Sequence, residues 1–141
     1  DVSADALALA RANLVGLGTG AQRVRLAQGS WWKALDPSLA GRVDLVVSNP
    51  PYVPDDAPLP VHVAAWEPEG ALRAGPDGLD DLRVIIAGAP HWLAPGGALV
   101  LEMGEDQGEA LVALADDAGL VGAELRPDLA GRPRAMVARL P

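Results

Sequence analysis

DLVVSNPPYVP, residues 44–54, is the stretch on which the reading of this chain turns. Leu45, Val46 and Val47 are strand formers, and after Ser48 and Asn49 come Pro50, Pro51 and Tyr52, the only tyrosine present. A proline has no N–H to give to a ladder, so a strand stops here. Val43–Val47 is short, β-branched and nearly all apolar, the pattern of a strand buried on both faces in a parallel sheet. In open α/β sheets ligands bind beyond the carboxyl ends of the strands. Asn49 stands at that position with an amide able to donate and to accept. Pro50 and Pro51 hold φ at about −65° and restrain the residue before each, which leaves backbone carbonyls facing outward. Tyr52 adds a flat apolar face with a polar tip. Either the turn is a rigid stop, or it is a site for a small planar group bearing an NH2. The four residues together behind Val46-Val47-Ser48 favour the site.

The rest of the chain supplies a frame for it. Residues 3–14 read as a helix, with Ser3 as N-cap, Asp5 in the first turn, and Ala6, Leu7, Ala10 and Leu14 at helical spacing. Gly16, Gly18 and Gly20 end that helix, and Arg23–Ala27 reads as a short strand. GLGTG (16–20) resembles the start of a dinucleotide-binding loop. Such a loop must follow a strand and open a helix, and here the order is reversed, so it is read as a turn. Trp31–Leu35 suggests a turn. Residues 53–77, punctuated by Pro54, Pro58, Pro60, Pro68 and Pro76, read as a long loop of the kind that is usually functional or mobile. Helices follow over Asp80–Leu93 (Leu82, Ile85, Ile86 and Ala89 on one face) and Asp106–Ala118, the latter ended by Gly119. Ala98–Met103, Val121–Arg126 and Ala135–Leu140 read as strands. The alternation predicts an α/β fold with a mostly parallel sheet.

Composition narrows the function. The chain has 141 residues, a net charge of −8 and no cysteine. An acidic domain lacks the footprint of a protein held by nucleic-acid phosphates, which lowers DNA or RNA as a substrate. Without cysteine, disulfides and thiolate metal sites are ruled out. There is no run of about 18 apolar residues and no signal-peptide pattern at the start, so no membrane partner and a cytoplasmic location are expected. His62 and His91 have no partner pattern for metal or catalysis, and no metal is expected.

These segments carry a resemblance. DLVVSNPPYVP looks like motif IV of the S-adenosylmethionine-dependent methyltransferases that modify amino or amide nitrogen. Taken nearly end to end, the chain resembles the HemK/PrmC-type release-factor glutamine methyltransferases. The matching stretches are DVSADALALARAN, QGSWW, DLVVSNPPYVP, WEPEGALRAGPDGLDDLRVIIAGA, LAPGGALVLEMGEDQG and DLAGRPRA. Asn-Pro-Pro-Tyr alone is shared with DNA adenine and some ribosomal RNA methyltransferases, whereas the tryptophan segment and the terminal DLAGR are narrower.

The resemblance implies a class I, Rossmann-like methyltransferase sheet of order 3-2-1-4-5-7-6 with the last strand antiparallel. It implies S-adenosylmethionine as cofactor and the glutamine in the Gly-Gly-Gln loop of peptide chain release factors as substrate. Asp1 matches the acid that holds the cofactor's ribose hydroxyls. Trp31 matches a tryptophan beside the adenine, and Ser30 stands where the family usually has Asp. Asn49, Pro50 and Tyr52 match the residues that hold the substrate amide, with Pro51 between them; Asn49 also borders the cofactor. Glu67 and Pro68 are expected to help close the site. Glu102, inside an apolar strand, is read as a buried structural acid paired with an arginine, and Trp32 and Trp92 as core.

The family also has an N-terminal helical domain and a first strand ending in a glycine-rich cofactor loop, whereas this chain begins at the ribose-binding acid. Residues 1–141 are therefore expected to be the C-terminal part of the catalytic domain, with strands 1 and 2 largely missing. The Arg23–Ala27 strand would then lack a neighbour, a gap on the order of 14 Å from Val43–Val47. A chain so truncated is expected to bind the cofactor poorly. The alternatives are an amino-methyltransferase acting on DNA adenine or ribosomal RNA, and an inactive truncated remnant.

Overall fold

The apolar runs of the second half of the chain assemble into one four-stranded sheet in a computed structural model that describes residues 1–141. The chain divides into two compact units, Asp1–Ser38 and Leu39–Pro141.

In the second unit, β1 (Val43–Ser48), β2 (Leu93–Glu102), β3 (Val121–Pro127) and β4 (Pro133–Arg139) lie in the order β1-β2-β4-β3. β1 runs parallel to β2, and β4 is antiparallel to both β2 and β3. This reproduces the 4-5-7-6 portion of the expected order, with the last strand of the chain reversed. β2 is an inner strand that carries the core: Leu93, Leu99 and Leu101, and Met103 just beyond it, are essentially inaccessible to solvent. The parallel register jumps between Val43↔Leu93 and Leu45↔Ala98, because Pro95 and Gly96 bow out of the ladder before pairing becomes regular.

Helix α3 (Asp80–Trp92) packs on this sheet through Leu82, Ile85, Ile86, Ala89 and Trp92, the face read from the sequence. Pro90 lies inside this helix near its C-terminal end. Helix α4 (Gly108–Asp117) buries Leu111 and Ala115, and Gly119, at φ 79°, takes the left-handed position that ends it.

Two strand expectations are corrected. β1 is an edge strand with one open face: Leu45 is 55% and Val47 68% exposed. Apolar composition alone suggested burial on both faces, but a face is buried only where another element packs over it, and Leu45 and Val47 share a face that stays open. Arg23–Ala27 is not a strand; a 3₁₀ turn spans Gly18–Arg23 and the chain beyond it is extended without a ladder. Its only pairing is with the first two residues: the Asp1 nitrogen donates to the Ala27 carbonyl at 3.1 Å, and Gly29 N–H donates to the Asp1 carbonyl at 3.0 Å. The Gln28 amide adds a bond to the Val2 carbonyl. Within this first unit, α1 (Ala4–Val15) is capped as expected, with Ser3 Oγ accepting from Ala6 N–H at 3.1 Å.

The long loop after β1 is tied back on itself. Val53 N–H donates to the Leu72 carbonyl at 2.9 Å, and Ala74 N–H to the Val53 carbonyl at 3.0 Å. The Arg73 guanidinium gathers the Pro54 carbonyl at 2.7 Å and the Ala57 carbonyl at 3.3 Å. Between these ties the loop contains one helical turn, α2 (Val61–Ala64).

Removing the Leu99 side chain leaves a cavity in the inner strand β2, so Leu99→Ala is expected to lower unfolding free energy by about 2–5 kcal/mol in urea titration. Arg73→Ala is expected to speed hydrogen exchange of the Val53 and Ala74 amides while leaving the β1–β2 ladder amides protected, because only the loop loses its tie.

Candidate functional site

The β1 ladder ends at the pair Ser48↔Leu101, and the two prolines begin two residues later. Asn49 is exposed there and Pro50 is buried beneath it. The Pro50 carbonyl accepts no hydrogen bond from the rest of the chain. Asn49, Pro50, Pro51 and Tyr52, with Val53, Ala71 and Leu72, line a pocket of about 130 Å³. Typical small-molecule sites run to roughly 300–1,000 Å³, so this one suits the end of a single side chain. A larger groove of about 330 Å³ lies between α3 and α4, lined by Ile86, Ala87, Leu114 and Ala118 with Arg83 and Asp117. It offers no converging set of polar groups like that at the strand end.

Ala71 and Leu72 are wall residues that the sequence reading did not assign. Their signal was available in the Ala-Leu of WEPEGAL, which served only as a family marker. Glu67, expected to help close the site, is exposed and is not among the residues that line this pocket.

Tyr52 is held at both ends. Its hydroxyl donates to Glu102 Oε1 at 2.9 Å. Its carbonyl accepts from Gln107 Nε2 at 3.0 Å. The same Gln107 nitrogen reaches the Gly78 carbonyl at 3.2 Å, while Gln107 Oε1 accepts from Gly104 N–H at 2.8 Å. Gly78, at φ 72°, is the residue this packing requires: a Cβ there would come within 2.3 Å of the Tyr52 carbonyl oxygen. Burial holds the Tyr52 phenol above its ordinary pKa; the hydrogen bond to Glu102 and the carboxylate's charge act in the same direction, and Arg134 opposes them. The hydroxyl therefore remains a donor through the neutral range.

Glu102 differs from its expected role. It is half-buried rather than buried, and its partner is a tyrosine hydroxyl and not an arginine. Arg134 instead donates to the Met103 carbonyl at 3.0 Å. His62 and His91 are both exposed, Trp92 is core and Trp32 is half-buried.

The residues matched to the cofactor lie in the first unit, where the Gly29–Asp1 backbone bond brings Asp1 alongside the Ser30-Trp31 turn. Asp1 is exposed and its Oδ1 accepts from Ser3 N–H at 2.7 Å. Ser30 is exposed and precedes a 3₁₀ turn over Trp31–Ala34. Trp31 takes φ 46°, the only non-glycine residue with positive φ. Such a conformation in a bulky residue costs of order 1–3 kcal/mol and persists where the surroundings impose it, often at ligand sites.

No protein-family model matches the chain. Among curated proteins it is 47% identical over 143 residues to the release factor glutamine methyltransferase of Cereibacter sphaeroides, covering all of this chain and 50% of that protein. It is 46% identical to the Xylella fastidiosa protein of the same name, again over all of this chain and 50% of the relative. The Moorella thermoacetica protein of that name is 45% identical over 98% of this chain and 48% of its own length. The chain thus spans about half the length of the curated relatives it matches. Among solved structures, the E. cuniculi Mtq2–Trm112 complex responsible for the methylation of the eRF1 translation termination factor superposes with TM-score 0.55 at 21% identity, over 89% of this chain and 69% of that one. A possible exported protein from Bordetella parapertussis superposes with TM-score 0.62 at 20% identity, over 100% and 52%. These superpositions carry the fold alone, that of a mixed α/β sheet. The chain is thus similar over its whole length to release factor glutamine methyltransferases, of whose length it spans about half.

Proposed function

We propose that this chain is part of the catalytic domain of an S-adenosylmethionine-dependent methyltransferase that modifies the side-chain amide nitrogen of the Gly-Gly-Gln glutamine in peptide chain release factors. What supports the reading above all is the small pocket at the end of β1, lined by Asn49, Pro50, Pro51 and Tyr52 and bordered by a carbonyl with no partner in the chain. The level of identity to curated release factor glutamine methyltransferases supports the same substrate class. A net charge of −8 fits a protein substrate better than a nucleic acid.

The reaction has one difficulty for the residues at the strand end to solve. An amide nitrogen is a poor nucleophile, because its lone pair is delocalised into the carbonyl. In this reading Asn49 Oδ1 and the Pro50 carbonyl accept the two amide hydrogens, which favours positive charge on the nitrogen as it is alkylated. The Tyr52 ring covers the amide plane and excludes water. This is preorganised electrostatics and positioning, and no general base is required beforehand. The nitrogen's surplus proton leaves to solvent afterwards. When bound, the cofactor supplies the methyl on a sulfonium, and a neutral thioether balances the new N–C bond. Asp1, through its carboxylate, would hold the ribose; Trp31 and Ser30 would border the adenine, and Asn49 would border the cofactor from the substrate side. A protein that acts on release factors works in the cytoplasm.

The test is mass spectrometry of a release factor incubated with S-adenosylmethionine and the protein expressed from the complete reading frame that carries this chain. One methyl is expected on the Gly-Gly-Gln glutamine. Asn49→Ala is expected to lower the rate by roughly 10²–10³-fold, the scale of a lost preorganised polar contact at a reacting centre, with cofactor affinity in calorimetry nearly unchanged. A methyl found on DNA or RNA amines instead, or loss of cofactor binding together with methylation, contradicts the proposal.

A further inference from the structure

Tyr52 is the one member of the strand-end turn whose orientation the prolines do not set. Pro50 and Pro51 fix their own φ and restrain Asn49, but the Tyr52 side chain keeps its own torsions and its carbonyl its own rotation. The pocket nevertheless includes it among the residues that line it. Two residues far away in sequence supply the missing restraint.

Glu102 comes from β2, one step beyond the pair Ser48↔Leu101, and therefore sits level with Asn49 where the parallel ladder ends. Its neighbours Leu101 and Met103 are fully buried on the core side, so by strand alternation the Glu102 carboxylate projects to the opposite face. There it takes the Tyr52 hydroxyl at 2.9 Å. Gln107 comes from the turn ahead of α4. A mere turn cap would need only Gln107 Oε1, which accepts from Gly104 N–H at 2.8 Å. The amide nitrogen does something further, joining the Tyr52 carbonyl at 3.0 Å to the Gly78 carbonyl at 3.2 Å. The close approach of the Tyr52 carbonyl to Gly78, where no Cβ fits, shows that these three segments pack around that amide.

We propose that Glu102 and Gln107 are positioning residues of the amide site, Glu102 setting the Tyr52 ring through its hydroxyl and Gln107 setting the Tyr52 main chain through its carbonyl. This rests on the reading of the pocket as the seat of a glutamine side-chain amide. Neither residue touches the reacting atoms. They make the turn specific for a planar amide by denying the ring any other orientation, so that the acceptors and the covering face stay in register. Arg134, whose charge reaches the same phenol, limits how far Glu102 raises its pKa.

The test uses the protein from the complete reading frame, with steady-state methylation of a release factor, thermal unfolding and an absorbance titration of the phenol run on each variant. Subtracting the titration of Tyr52→Phe isolates the Tyr52 phenol from any other. Glu102→Ala and Tyr52→Phe are each expected to lower kcat by roughly ten- to a hundredfold, the scale of a mispositioned active-site group. The double variant is expected to fall no lower than the weaker single, because both changes delete one hydrogen bond. Glu102→Gln keeps an acceptor and is expected to recover most of kcat, while its phenol titrates closer to the ordinary value because the charge is gone. Gln107→Glu keeps the bond to Gly104 but sets a carboxylate oxygen against two carbonyls, and is expected to raise KM for the release factor. A methylating wild type whose Glu102→Ala kcat is unchanged, or whose double variant falls by the product of the singles, overturns the positioning role alone. A wild type that methylates no glutamine while the phenol still answers to Glu102 overturns the functional reading, and the positioning role with it.

Discussion

The hydrogen-bond ladder of β1 ends because Pro50 and Pro51 have no N–H to continue it, and everything that makes the strand end chemically useful depends on that stop. The ladder's last pair, Ser48↔Leu101, sets the height at which Asn49 and the Pro50 carbonyl emerge. A carbonyl that would otherwise bond to a neighbouring strand is left for a guest. Because the stop is covalent, this acceptor geometry is largely prepaid rather than ordered when a substrate arrives.

The sheet behind the stop turns this local rigidity into a site. β2 supplies both the core that anchors β1 and, through Glu102, the acceptor for Tyr52. The turn leading to α4 supplies Gln107, and the loop tied by Arg73 brings Ala71 and Leu72 to the opposite wall. Two chain segments thus line a space of about 130 Å³, and two more hold Tyr52 at its edge. The chemistry asked of them is modest, two hydrogen bonds accepted and one plane covered, but it requires all of them to hold position together.

The parts written into local sequence were legible in it. The Asn-Pro-Pro-Tyr turn, the buried face of α3, the cap at Ser3 and the glycine that ends α4 follow from residue type and spacing, and the structure has them. The parts that failed are those set by neighbours. Val43–Val47 is apolar but for Asp44, yet Leu45 and Val47 are exposed because a strand's burial is decided by what packs over each face. Arg23–Ala27 alternates as a strand would, but it is extended without a ladder. The partner of Glu102 was expected to be an arginine; register brought a tyrosine there instead. Gln107 gave no signal of its own, because its role exists only once Tyr52, Gly78 and Gly104 are in one place.

The central claim is that the strand end receives a primary amide nitrogen. A crystal structure of the protein from the complete reading frame, with a demethylated cofactor product and a Gly-Gly-Gln peptide, tests it most directly. The account predicts the glutamine Nε2 within hydrogen-bond distance, about 3 Å, of both Asn49 Oδ1 and the Pro50 carbonyl, with the Tyr52 ring over the amide plane. A peptide seated elsewhere, or one that turns its amide oxygen toward Pro50, would contradict it.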